Sequence, residues 1–481
     1  MILTLLILVP LVAGIISFLV KSEAVKGLAL ISSLATLVLS GMVAYESMNG
    51  ALQFSLPWIP QLGAEFSLYA DGMAAMLCLL TAIVMPLVFV SGWNKKMDSP
   101  WSFYGFMLLA QAGITGVFLA YDALLFYFCW ELALIPVYFL CSRWGGEKRI
   151  AVTFKFFVYT FVGSLIMLAG LLYLGTLTPG GDGYSWANIS RAGSALPFET
   201  QQWMFWIIFI AFAIKIPIFP FHTWQPDTYE QSPTSVTIVL SALMVKMGMF
   251  AVVRWLFPVL PSGVEFWSNT IIILSIIGII YASLLAMVQT DLKRLIAYSS
   301  IAHMGLMTAG AFAQTGVGMH GLMVQMFNHG ISITGLWLIV QMIENRWGTR
   351  DMTRLGGMAI AAPQMAIALV VIAFANIGLP LTNGFVGEFM LFHGIFQSEL
   401  PYHITYMALA GLGIILGAVY TLKMVQRTAF GNTVPMVNNS DMTLNESIAM
   451  ALIVALVVFL GVYPKPLLEL TSGMAEMIVL R

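Results

Sequence analysis

A chain of 481 residues with 60% hydrophobic and only 9% charged side chains is not an ordinary water-soluble protein, in which charged residues make up roughly 25%. With a mean hydropathy of +0.91 it is expected to be an integral membrane protein, and its net charge of −1 argues against nucleic acid as a partner. The three cysteines, Cys78, Cys129 and Cys141, lie inside apolar segments without C-x-x-C spacing, which excludes a metal or iron–sulfur site built from them alone.

The first apolar run begins at Met1 with no basic stretch before it, so a retained first helix is expected rather than a cleaved signal peptide. Runs long enough to cross about 30 Å of hydrocarbon follow one another along the chain. They lie at about 2–20, 27–46, 71–93, 102–120, 122–142, 151–176 and 203–221. They continue at about 233–257, 267–288, 293–312, 319–343, 364–397, 402–425 and 445–468. The fold expected is all-α, with about fourteen transmembrane helices. Between the second and third spans, residues 48–70 read as an external β-hairpin, and Pro179–Gly183 running on to Thr200 reads as a second external loop.

The distribution of basic residues orients the chain. With the N-terminus outside, fourteen Lys and Arg, from Lys21 through Lys95 to Arg427, fall in cytoplasmic loops. The outer side holds four: Arg191, Arg254, Lys465 and Arg481. That asymmetry places both termini outside.

Two spans carry signs of interruption. In FAIKIPIFPFHTWQPD, Pro217, Pro220 and Pro226 cannot continue an unbroken i→i−4 ladder. In FANIGLPLTNGFVGEF, Gly378, Pro380, Gly384 and Gly387 have the same effect. Unwound backbone at membrane depth is tolerated only inside protein or beside a water-filled cavity. The breaks fall in the seventh and twelfth spans, an odd offset that predicts two inverted five-helix repeats, spans 4–8 and 9–13. The chain then divides into an N-terminal three-helix segment (1–100), two half-channels (101–257 and 258–430) and a C-terminal helix (431–481).

Four charges stand inside apolar runs: Glu131, Lys215, Lys246 and Glu388. At the centre of a membrane helix each costs about 2.5–3.5 kcal/mol, on the order of 10 kcal/mol together, and such residues mark ion or proton paths. Lysine suits a relay better than arginine, because arginine stays charged. A static ion pair bolting two helices together is the plainer reading of Glu131 and Lys215. His303 and His329, on adjacent spans between Lys246 and Glu388, supply groups that titrate near neutrality. His222, just past the first break, serves proton entry or caps a half-helix. Asp71, Asp227, Arg254 and Lys155 lie near span ends, where snorkelling accounts for them.

At these residues the chain resembles a known family. WELALIPVYFL, FAIKIPIFPFHTWQPDTYEQSPTS, LMVKMGMFAVVR, QTDLKRLIAYSSIAHMG, NHG and GFVGEFML are similar to the antiporter-like membrane subunits of respiratory complex I. These have relatives in multi-subunit Na⁺/H⁺ antiporters. Several members carry lysine at the second break; Glu388 there, and the absence of a lateral C-terminal helix, match the M type. The resemblance implies that Glu131 and Lys215 form a coupled pair in the first half-channel. It implies that Lys246 connects through His303 and His329 to Glu388, the terminal protonatable site. The reaction implied is NADH oxidation by quinone coupled to cation export, with no cofactor on this chain. NADH, FMN, iron–sulfur clusters and quinone would sit on partner subunits. The partners implied are other complex I membrane subunits, above all the two other antiporter-like ones, within the lipid bilayer of a bacterial inner membrane.

Overall fold

The computed structural model describes residues 1–94, 96–178, 183–438 and 440–479, with the backbone alone for 474–479. Hydrocarbon offers backbone groups no hydrogen bonds, so long apolar runs become helices that satisfy their own. Among the described residues twelve helices are long and apolar enough to cross a membrane. The first six are α1 (Ile2–Val20), α2 (Val25–Ser47), α3 (Gly72–Ser91), α4 (Pro100–Leu119), α5 (Ala123–Trp144) and α6 (Arg149–Thr176). A short helix, α7 (Trp186–Ser194), then precedes the first broken span. The expected hairpin forms between α2 and α3: β1 (Leu52–Ile59) pairs antiparallel with β2 (Ala64–Ala70). Asp122, just before α5, ties β2 to that helix: it caps Leu124 and Leu125 and accepts from the Glu65 amide at 3.1 Å.

Two expected spans are the interrupted ones. α8 (Phe198–Lys215) stops at the first break, and the chain resumes as α9 (Gln225–Gln231). The Trp224 indole donates to the Ile214 carbonyl at 2.9 Å, satisfying one acceptor that the break releases. At the second break α14 (Pro363–Asn376) and α15 (Asn383–Phe396) have 14 residues each, about 21 Å of helix and too short to cross alone. Gly378 takes φ +67 between them, a conformation that favours glycine, and a Cβ there would press on the Glu388 carboxylate.

The remaining long helices are α10 (Thr234–Val259), α11 (Pro261–Val288), α12 (Leu292–Phe312), α13 (Gly316–Trp347), α16 (His403–Ala429) and α17 (Leu444–Val462). α10 widens into π-helical turns at Val239–Met244 and Val252–Leu256. The last expected span, 445–468, is shorter than anticipated: Pro464 cannot extend the ladder of α17, and the chain restarts as α18 (Lys465–Val479). Of the second expected loop, residues 179–182 lie outside the described residues, as do Lys95 and Arg481 from the basic-residue distribution; the later part holds α7.

Burial sorts the helices into two layers. The apolar windows of α10 and α13 are wholly enclosed, whereas that of α16 is 28% buried. Outward residues such as Ile31 and Phe154 are exposed, as lipid-facing side chains must be. The helices carrying Lys246, His303 and His329 are therefore the innermost ones.

Snorkelling does not account for Asp71 and Arg254 near the span ends. Asp71, which caps α3, is buried against Arg254 in an ion pair. Lys155 Nζ bonds Asp227 at 3.0 Å, and Arg294 reaches both Asp227 (3.2 Å) and Glu230 (2.8 Å). These contacts join residues from distant parts of the chain, so a position near a span end does not reveal them.

Candidate functional site

Lys246 sits on the first α-helical turn after a π-helical stretch, with no exposed surface. Its Nζ donates to the Ser241 carbonyl at 2.8 Å and meets His329 Nδ1 at 2.7 Å. With Lys246 as an ammonium, which has only donors, Nδ1 accepts and His329 carries its proton on Nε2. That Nε2 faces Ser300 Oγ on α12 at 3.5 Å. The rings of His329 and His303 lie 5.5 Å apart, and His303 Nδ1 stands 3.3 Å from Glu388 Oε1. Lysine, two imidazoles and a carboxylate thus follow one another across α10, α13, α12 and α15. In water lysine outcompetes imidazole for a proton by about four pK units. Surroundings that close this gap make the sequence a relay.

The far end of this chain is built around the second break. Gln325 Nε2 donates to Glu388 Oε1 at 3.4 Å. A cavity of about 30 Å³ adjoins His303 and Glu388, with Asn376 and Tyr420 on its wall. One water needs about 10–15 Å³, so the cavity has room for water. The Asn376 amide (3.2 Å) and the Tyr420 hydroxyl (2.9 Å) both donate to Ser299 Oγ. Asn328 and Asn383 clasp each other reciprocally: each side-chain amide donates to the other's backbone carbonyl, at 2.7 and 3.1 Å. Ser332 holds Asn383 Oδ1 at 3.1 Å. This clasp fixes the start of α15, and with it Glu388, against α13.

Glu131 and Lys215 are arranged differently. Ser164 Oγ of α6 donates to Glu131 Oε1 at 2.5 Å, while Oε2 has no hydrogen-bond partner among the described residues. Lys215, 1% exposed at the end of α8, likewise has no hydrogen-bond partner among them. Its Nζ stands 5.5 Å from the centroid of the Trp130 ring. The two residues do not form a salt bridge, so the static ion pair weighed from sequence is not what joins these helices. His222 is buried at the break with its ring against Phe219 and Tyr281, and its Nδ1 has no hydrogen-bond partner among the described residues.

Comparison with known proteins supplies the family. The family model described as "NADH:quinone oxidoreductase/Mrp antiporter, TM" matches residues 120–413, which span both breaks and all six ionisable residues. The chain belongs to this family. Among its relatives is NADH-quinone oxidoreductase subunit M of Rhodobacter capsulatus, 37% identical over 92% of this chain and 88% of that one. F420H2 dehydrogenase subunit M of Methanosarcina mazei is 35% identical over 99% of this chain and 97% of its own. Of solved structures, one chain of respiratory complex I from Thermus thermophilus with bound NADH superimposes with a TM-score of 0.88. It is 28% identical, covering 99% of this chain and all of that one. This is a multi-pass membrane subunit of the M type.

All six ionisable positions singled out in the sequence of this family member are thus placed, and four of them lie in series, with the two imidazole rings packed 5.5 Å apart in the middle. Sequence reasoning missed Ser164, Gln325, Ser300 and the Asn328–Asn383 clasp. Uncharged polar residues inside apolar spans are common, and nothing in their own segment marks a partner tens of residues away.

Proposed function

We propose that this chain is the proton-translocating M-type subunit in the membrane arm of an NADH:quinone oxidoreductase. Quinone reduction elsewhere in the complex drives protons outward through it. Lys215, Lys246, His329, His303 and Glu388 carry the protons, and the Glu131 charge sets the state of Lys215. The observation that supports this most directly is the run of contacts from Lys246 through His329 and His303 to Glu388, which ends beside a water-sized cavity. Residues 101–257 and 258–430 act as two inverted half-channels, flanked by residues 1–100 and 431–481. Electron transfer belongs to partner subunits, which hold NADH, FMN, iron–sulfur clusters and quinone. Two further antiporter-like subunits share the membrane arm. A bacterial inner membrane, with both termini outside, fits the basic residues that gather on one set of loops.

A subunit of a multi-subunit Na⁺/H⁺ antiporter is the second reading, since the family description embraces both. Glu388 weighs against it, because lysine is the commoner residue there in the antiporters this chain resembles.

The test is NADH-driven proton pumping in membrane vesicles, comparing the parent with Lys246→Ala and Glu388→Gln. Loss of pumping and of coupled NADH oxidation together, in an assembled complex, is the expected result. Normal pumping in both variants would overturn the assignment.

A further inference from the structure

A buried ammonium without a hydrogen-bond acceptor is expensive and calls for some other source of negative potential. Lys215 is in that position. Its Nζ finds no hydrogen-bond partner among the described residues, and the neighbouring carboxylate, Glu131, is held aside by Ser164 of α6. What faces the ammonium is the Trp130 ring, 5.5 Å away at its centroid and 1% exposed. Phe126 and Phe212 pack against that ring with centroids 5.5 and 5.8 Å from it, which fixes its plane. Tryptophan has the strongest negative face of the aromatic side chains, and a cation within about 6 Å of the centroid is attracted to it. Trp130 and Glu131 are successive residues of α5, about 100° apart around its axis. One helix therefore offers the lysine two different seats side by side, a π face and a carboxylate.

We propose that the Trp130 ring is the resting seat of the Lys215 ammonium, so that Trp130 is the positioning residue for the lysine's exchange with Glu131. The inference rests on the translocation role of Lys215 given above. The lysine leaves the ring when the carboxylate is freed from Ser164 and returns when the carboxylate is recaptured.

The experiment replaces Trp130 in the intact complex by mono-, di- and tetrafluorinated tryptophan, which keep the ring's shape while draining its negative face. Coupled NADH-driven pumping in vesicles is expected to fall stepwise along the series, by about tenfold in all. Trp130→Tyr, which retains an aromatic face, is expected to keep more activity than Trp130→Leu. A flat fluorinated series would overturn the inference, even if Trp130→Leu were inactive, because packing alone would then explain the leucine result. Lys215→Ala in the same vesicles separates the two levels. If it abolishes pumping while the series is flat, only the π seat falls. If it pumps normally, the role of Lys215 falls and the seat with it.

Discussion

Between Lys246 and Glu388 an amine meets an imidazole at 2.7 Å and an imidazole meets a carboxylate at 3.3 Å, while the two imidazoles between them pack with ring centroids 5.5 Å apart. Between Glu131 and Lys215 no hydrogen bond or salt bridge is made, and the carboxylate is tied instead to a serine on a third helix. The two regions sit in the same bundle, and under the proposed function the first is the conducting stretch and the second the switch. A relay needs donor and acceptor in continuous reach, because proton transfer is short-ranged. A switch needs two states of similar energy, which a closed buried ion pair would not supply, since opening it leaves an uncompensated charge.

The sharpest way to break this comparison is at the middle of the conducting stretch. His329→Leu keeps the volume of the site but removes the acceptor on which Lys246 rests. Coupled proton pumping is expected to fall by about a hundredfold or more, the scale of losing a positioned acid–base group. NADH oxidation by an artificial electron acceptor, which bypasses the membrane arm, checks that the complex is assembled. Near-normal pumping would mean that protons do not pass through this imidazole.

A smaller effect is expected at the break that holds Glu388. Gly378→Ala places a methyl group 2.4 Å from Glu388 Oε2 on a backbone with φ +67. An L side chain in that conformation costs about 1–2 kcal/mol, and the carboxylate must also move away from His303. A drop of about tenfold in coupled turnover is expected, with little change in the amount of assembled complex. A variant that pumps like the parent would show that the 3.3 Å approach of His303 to Glu388 does not matter.

Much of this architecture is legible in the chain because hydrocarbon leaves few choices. Twenty apolar residues in a row must be helical, and clusters such as Pro217 with Pro220, or Gly378 with Pro380, mark an interruption where the lone Pro86 and Pro136 stay inside helices. Charges such as Lys246 and Glu388 announce themselves by cost alone. What stayed hidden are pairings across long separations: Ser164 with Glu131, Asn328 with Asn383, and Asp71 with Arg254. In an apolar run a serine or asparagine costs too little to stand out. Nor does one sequence reveal which face of a helix meets which neighbour when nearly every face is apolar. The end of α17 shows the same limit on a local scale. The apolar run continues past Pro464, so hydropathy alone overruns the break that backbone sterics impose.

The smallest effect is expected at Ser164, and it tests the switching region most directly. Its hydroxyl has one proton but two acceptors in reach, Glu131 Oε1 at 2.5 Å and the Phe161 carbonyl at 2.9 Å. Only one can receive it at a time. In the proposed exchange the serine stabilises Glu131 while it is charged and apart from Lys215, and the hydroxyl falls back on the helix carbonyl when the carboxylate turns to the lysine. The serine therefore lowers the cost of one state without penalising the other. Ser164→Ala removes that support, leaving the charged carboxylate with one hydrogen bond fewer, a loss of about 1.5–3 kcal/mol if nothing replaces it. Glu131 is only half-buried, so water recovers part of this, and a reduction of about threefold in coupled pumping is expected. Ser164→Thr, which keeps the hydroxyl, should restore the parent rate. If alanine and threonine both pump at the parent rate, Glu131 is not held back from Lys215 by this bond, and the contrast between a conducting and a switching region fails at its weaker end.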